Sequence, residues 1–592
     1  MVRLWALGSR LWALGSGLSA LGSGLSASPR AVARRARSTL LIALLLVTAT
    51  WFLLIAASLH AQAPTLDELV HRPIPLRTRI GSAHDAISTS SADAQRWYDQ
   101  GLALLHSYVW LDAARSFNQP VGADPRLAMA HVGLSYAYTE LNAPAAARAA
   151  LEQAQALAAG DHDRLHIAAR ALQMKAESYA APRPASAAAG ANPAAPDPVR
   201  RDEPENGPRR NITPMLAEYR AALDAALARY PDDEELWLLR GHAESADPAE
   251  RGQGSGAASI AFYTKAKALA PAHAAAHHYL THVYENTGRF DDALRESAVY
   301  ARMAPAIAHA HHMHGHELRR VGRMDAAIGE LQAADARHAA WSRTESIPAA
   351  YDWNYQHNLD LLATTYQYQG RMRNAEPLFK ASFAIASPLV EQELNKREWP
   401  VFLRARGRVD EALGAAEAMA AHHDPLVSAA GHVEAGRGLL LQGKFKEAAE
   451  EANAALRLLR GAEGAGLVAL ALQELQGEFF LRTGQREKAR VTLQDVVRKT
   501  RLSPGSDAWM RATFAMEAMA RAARASDDWE LAAWTAEQMI AHDAGYAGAH
   551  LARALVADHQ GDLKTARAEF DRVRELWKSA DRDLPDVNHQ ER

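Results

Sequence analysis

One interval constrains this chain more than any other feature. Between His273 and His316 lie nine of its 26 histidines, and six fall on one template written twice, His277-His278-x-x-x-His282 and His311-His312-x-x-x-His316. The copies stand 34 residues apart, 277 to 311, and that is the length of a helix-turn-helix repeat. Such a period predicts stacked helical hairpins, with equivalent faces of neighbouring helices carrying the same histidines side by side.

Small residues carry the same period. From Leu280 to Pro305 the order is Thr281, Tyr284, Gly288, Ala293 and the proline; from Gly315 it is Gly322, Ala327, Leu331 and Ala334. This reads as helix A, a glycine turn, helix B with a small residue at the helix crossing, and a proline stop. The spacing recurs at Gly101, Ala113, Phe117 and Pro125, at Gly370, Ala375 and Phe379, and at Gly436, Gly443 and Ala448. It appears again at Gly477, Gly484 and Ala489, and at Gly561, Ala566 and Phe570. The pattern resembles the tetratricopeptide repeat (TPR) family over roughly residues 95 to 578. The resemblance implies an all-α fold, a right-handed α-solenoid of about twelve TPR-like hairpins, each stabilised by stacking on its neighbours.

Departures from the pattern carry predictions of their own. Pro120, followed by Val121-Gly122, predicts a broken or kinked second helix in the first unit, and Trp399-Pro400 stands where another unit expects its helix A glycine. From Ala181 the chain becomes rich in Pro, Ala and Arg without periodicity, and 181–212 reads as a disordered insert within the third pair. A glycine-rich loop, Gly252 to Gly256, interrupts the fourth.

The N-terminus reads as an export signal. Residues 4 to 26 repeat a Leu-Gly-Ser theme without fold logic, a low-complexity extension or a misassigned start. Arg30, Arg34, Arg35 and Arg37 then precede an uncharged apolar run from Leu40 to Leu59 and a small-x-small site, Ala61-Gln62-Ala63. Basic before apolar predicts a periplasmic or other extracytoplasmic location, by cleavage after Ala63 or by retention as an inner-membrane anchor. The expected division is 1–39, low-complexity and basic; 40–63, signal core or transmembrane helix; 64–94, linker; and 95–180, first TPR-like units. After the 181–212 insert come the solenoid proper, 213–578, and a polar tail, 579–592.

Composition narrows the chemistry. A net charge of -3 from 66 basic and 69 acidic residues gives no nucleic-acid footprint. The absence of cysteine excludes disulfides, thiolate nucleophiles and Cys-ligated metals, and suits an export compartment. Any bound metal must use His, Asp or Glu. There is no phosphate-binding glycine loop, no Gly-x-Ser-x-Gly elbow and no His-Glu-x-x-His, so no reaction is assigned.

The histidines therefore carry the functional argument. In TPR proteins, as the resemblance implies, helix A residues around the small site face the concave groove. These are His278 and His282 about Thr281 and His312 and His316 about Gly315; taking Ala363 as the next small site, His357 and Asp360 continue the row. An i, i+4 pair sets two imidazoles about 6 Å apart at Cβ, and helices pack about 8 to 10 Å apart. Side chains from neighbouring helices can then converge on one ion. The expected metal set is His278, His282, His312, His316, His357 and Asp360, suited to zinc, manganese or iron. His309, Glu285, Arg319 and Asn358 are expected to line the groove, with Glu285 an outer carboxylate or general base if a metal is present. The stretch also resembles bacterial exported multi-TPR proteins with a His-rich central segment. Their series His-x-x-x-His, His-x-x-His-Met-x-x-His and His-Asn is matched at His278 to His282, His309 to His316 and His357-Asn358. That likeness implies a site and names no chemistry.

Plainer readings stand beside this one. His277 and His311 fall on the helix-packing side, His422-His423-Asp424 before Pro425 looks like a helix terminus, and His106 extends the groove wall. The pair His162 and His166, with Asp163, has no aligned partner. The favoured function is an exported scaffold, not an enzyme, that binds a protein or peptide in a His-rich groove and meets a membrane only through an uncleaved N-terminal segment. The alternative is a metal-binding or metal-dependent hydrolytic protein using His278, His282, His312, His316 and His357.

Overall fold

The computed structural model describes residues 64–123, 125–157, 160–180, 213–245, 256–387, 389–460, 466–502, 507–582 and 584. Segments 1–39, 40–63 and 181–212, residues 252–255 of the glycine-rich loop and most of the 579–592 tail lie outside the described residues, as does any signal or anchor helix. Among the described residues no helix is long and apolar enough to cross a membrane.

A short helix, α1 (Leu66–Val70), precedes twelve helix pairs. The first four are α2 (Ala92–His106) with α3 (Trp110–Ala123), α4 (Ala128–Glu140) with α5 (Pro144–Leu157), α6 (Asp161–Ala180) with α7 (Thr213–Arg229), and α8 (Glu234–His242) with α9 (Ser259–Leu269). The next four are α10 (Ala274–Asn286) with α11 (Phe290–Met303), α12 (Ala308–Arg320) with α13 (Met324–Glu345), α14 (Trp353–Tyr368) with α15 (Met372–Ala384), and a broken helix A, α16 (Val390–Asn395) plus α17 (Glu398–Ala405), with α18 (Val409–Ala420). The last four are α19 (Pro425–Leu441) with α20 (Phe445–Leu459), α21 (Gly466–Arg482) with α22 (Arg486–Arg501), α23 (Ala508–Ala525) with α24 (Trp529–His542), and α25 (Ala547–His559) with α26 (Leu563–Leu576). The described residues form an all-helical repeat of TPR-like hairpins.

Each short A to B turn among the described residues holds one residue in the left-handed region. Glycine fills it at Gly288 (φ 75°), Gly322 (φ 76°) and Gly370 (φ 72°), because it has no Cβ to clash there. In the first pair the position is Tyr108, at φ 57°. A left-handed aromatic residue is uncommon and persists only where its surroundings hold it.

Three sequence expectations change. Pro120 does not break α3, which continues to Ala123; so close to the helix end, the missing N–H removes a single hydrogen bond. Pro400 lies in the first turn of α17, where no N–H is required, and helix A of that unit is split in two instead. The 64–94 segment, read as a linker, is a packed strap. Leu69 and Val70 are fully buried, Arg77 bridges Asp112 and Glu345 at 2.8 Å each, and Ser82 bridges to His273.

Contacts far apart in sequence fix the position of the site. The Tyr108 carbonyl accepts hydrogen bonds from Trp353 Nε1 (3.3 Å) and Asn354 Nδ2 (3.1 Å), and Trp110 stacks on Trp353 at 4.9 Å. Trp577 Nε1 donates to the Tyr368 carbonyl at 2.9 Å, and Asp581 accepts from Arg373 N at 2.8 Å. Pair seven is thus in contact with the first pair and with the segment that ends and follows α26.

Candidate metal centre

Helices α10 and α12 begin after an extended residue, His273 and Ile307 respectively, so their histidines fall in equivalent register. One face is a brace. His277 Nδ1 lies 2.6 Å from Glu296 and His311 Nδ1 lies 2.6 Å from Glu330. The same spacing of 19 residues recurs at His432 and Glu451 (2.5 Å) and at His550 and Glu569 (2.6 Å), in pairs nine and twelve. Because the brace recurs where no histidine cluster exists, His277 and His311 hold helix A to helix B.

The other face gathers ring nitrogens. His278 Nε2 lies 3.0 Å from His282 Nε2 and 2.9 Å from His309 Nε2. The tautomer of His278 follows from its other nitrogen, since Nδ1 can only donate to the carbonyl of His106 at 2.7 Å. Nε2 therefore presents one lone pair, and two further nitrogens crowd it. A cation at that point would relieve the crowding. With metal–nitrogen bonds of about 2.0 to 2.1 Å, adjacent ligands of an octahedral ion lie about 2.9 Å apart and those of a tetrahedral ion about 3.3 Å. The observed separations match the former. His278 also has the hydrogen bond from its second nitrogen that metal ligands usually make, whereas His309 Nδ1 is buried without a partner.

Burial makes the triad ready for a cation. His278 is fully buried and His309 is 3% exposed, so the row is no open groove. Burial, then the charge of neighbouring imidazoles, holds His278 and His309 well below the usual histidine range. Burial likewise brings His282 down to about 4, opposed by the field of Glu285 one turn on. All three are neutral at pH 7, and each neutral ring has one lone pair to offer. Tyr108 closes the site from the first pair, its ring 4.6 Å from His278 and 4.9 Å from His309.

The remaining expected ligands go elsewhere. His312 Nδ1 donates to Asn358 Oδ1 (3.1 Å), and its ring lies 4.8 Å from His357. His316 sits between Glu285 (3.1 Å) and Asp507 (3.3 Å). Burial opposes its charging, but those carboxylates prevail and push it up to about 10. A cation already occupies this position, which suits an ion-paired imidazolium better than a ligand. His357 stands 3.7 Å from Asp507. Asp360 lines a cavity of about 30 Å³ with Arg319, Glu398 and Arg511, room for about one water. Expected as one constellation, the six ligands divide between the triad and this ion-paired group, and His309 joins the triad from the expected groove wall.

Three participants were not legible in the sequence. Asp507 arrives from the start of α23, 191 residues beyond His316. Glu235 accepts from His106 Nε2 (2.9 Å) and His273 Nε2 (3.0 Å) in a fully buried trio. Asp233 accepts from both His162 (2.7 Å) and His166 (3.0 Å). Only folding brings these carboxylates to the imidazoles. At His422-His423-Asp424, Asp424 caps α19, accepting from Leu426 N and Val427 N.

No protein-family model matches the chain, and no curated protein matches it. Among solved structures it is similar to human IFIT1, as a dimer with PPP-AAAA, at 10% identity over 84% of this chain and 92% of that one, with a TM-score of 0.33. It is also similar to yeast Tom70, at 11% identity over 84% and 88%, TM-score 0.28. A third is the P58(IPK) TPR domain, at 12% identity over 82% and 99%, TM-score 0.20. At such scores the superposition carries no ligand or partner across.

Proposed function

We propose that this chain is a metal-binding helical-repeat protein in which His278, His282 and His309 hold one divalent transition-metal ion. The observation that carries this reading is the convergence of three Nε2 atoms, those of buried His278 and His309 and of part-buried His282, two of them within 3.0 Å of the third. The ligands come from two neighbouring hairpins, and the first hairpin supplies both the carbonyl that orients His278 and the ring of Tyr108. An ion here would therefore join the chain's beginning to its middle. No hydrolytic step is proposed. Protein purified without a polyhistidine tag should carry one equivalent of metal at these residues, and the variant His282→Ala/His309→Ala should lack it. Wild-type protein free of metal after growth with zinc, manganese and iron would overturn the reading.

A second reading, binding of a protein or peptide, rests on a cavity of about 530 Å³ lined by Arg319, Arg320, Tyr368, Trp509 and Trp577. Arg319 is 3% exposed, and its Nε and Nη1 lack hydrogen-bond partners. A buried guanidinium with unused donors favours a carboxylate, so an acidic or C-terminal peptide is the fitting ligand. Residues 30–63 support export of the whole. Recovery of the native protein from the cytosolic fraction alone would overturn that placement.

A further inference from the structure

We propose a second metal site, of tetrahedral N2O2 type, formed by His162, His166, Asp233 and Asp85. One ligand atom from each of these residues falls in a single group whose members all lie within 4.8 Å of one another. The two imidazoles come from the first turns of α6, Asp233 is the N-cap of α8, and Asp85 belongs to the strap.

Each carboxylate has one oxygen committed to the fold and the other aimed at the histidines. Asp233 Oδ1 accepts the Leu236 amide at 2.9 Å, while Oδ2 lies 2.7 Å from His162 Nε2 and 3.0 Å from His166 Nε2. Asp85 Oδ2 accepts from the Tyr98 hydroxyl at 3.3 Å, while Oδ1 faces His162 Nε2 at 3.6 Å. These orienting bonds are the outer-sphere support that ligands need.

An ion-paired cluster without metal accounts for the geometry less well. It would place two Nε2–H groups, on rings with centroids 4.7 Å apart, both on one oxygen of Asp233. It would also leave Asp85 Oδ1 beyond hydrogen-bond distance of His162. A divalent ion resolves both points. Two neutral imidazoles and two carboxylates around a 2+ charge sum to zero, and bonds of about 2.0 to 2.1 Å set tetrahedral edges near 3.3 Å, between the observed 2.7 and 3.6 Å. Zinc is the fitting ion. The His162 side chain is 20% exposed, which gives an ion its way in. This site shares no residue with the His278 triad, so the two succeed or fail separately.

The test uses cobalt(II) as a spectroscopic stand-in on the full, metal-free chain. Four-coordinate cobalt with two nitrogens and two oxygens should give an intense visible band that Asp85→Asn/His162→Gln abolishes, with loss of one equivalent by elemental analysis. His282→Ala/His309→Ala should keep the band and lose only the other equivalent. Should the double variant not fold, the near-isosteric Asp85→Asn alone, which retains an oxygen for the Tyr98 hydroxyl, should weaken cobalt binding at least tenfold. No intense band in wild type, or a band and stoichiometry unchanged in Asp85→Asn/His162→Gln or Asp85→Asn, would overturn the proposal.

Discussion

The ring of His278 donates its Nδ1 proton to the main-chain carbonyl of His106 at 2.7 Å, across 172 residues of sequence. That bond fixes the tautomer of the central imidazole and so directs its Nε2 lone pair at His282 and His309. The first hairpin is thereby part of the site.

If an ion occupies the triad, chelation should lower the melting temperature, because a ligand bound only by the folded state stabilises it by about 2.7 kcal/mol at a hundredfold excess over Kd. His309→Ala, which leaves the second site intact, should show a smaller chelator-induced shift than wild type. Calorimetry with and without a strong chelator checks this, and a wild-type melting curve unmoved by chelator would contradict it.

In metal-free protein, stability should peak near pH 6.5. The buried imidazoles of His278, His282 and His309 have depressed folded pKa values, about 4 for His282, against 6.5 unfolded. As pH falls below 6.5 the unfolded state takes up protons that the folded state refuses, so stability is lost, by about 1.4 kcal/mol per pH unit for each such group. His316 runs the other way. Its folded pKa near 10 contributes stability that is complete below 6.5 and lost as pH rises toward 10. Denaturant midpoints between pH 4.5 and 9 should therefore fall on both sides, and a flat profile would contradict the assignment.

His432→Gln removes one of the four His–Glu braces, in pair nine, at residues that belong to neither proposed metal site. It should cost about 0.5 to 1.5 kcal/mol, the net value of an ordinary hydrogen bond. His277→Gln should behave the same and leave metal content intact, whereas loss of metal on that change would make His277 part of the site.

Gly101 and Gly133 both press on Phe117. A Cβ at either would meet its ring, at 2.4 Å from Gly101 and 2.6 Å from Gly133. Gly101→Ala should destabilise by about 1 to 3 kcal/mol through overpacking, and pairing it with Phe117→Leu should recover part of the loss. A neutral Gly101→Ala, read by urea denaturation, would contradict this packing.

Much of the architecture is local and therefore legible in the chain. Twelve hairpins, their glycine turns and the doubling of the histidines between α10 and α12 follow from a 34-residue period, because a helical face is set by residues three and four apart. Periodicity also separated His277 and His311, on the packing side, from His278 and His282. It could not say which imidazoles meet. His278, His282 and His309 converge while His316 turns to Asp507, and that division depends on contacts from residues 106–110 and 507 to the same middle helices. Nothing in the sequence singled out Tyr108, whose packing against the triad appears only in the folded chain. Carboxylates such as Asp85, Asp233 and Asp507 acquire their histidine partners only when segments far apart in sequence pack together. The sequence determined the repeat; tertiary packing decided which charges face each other.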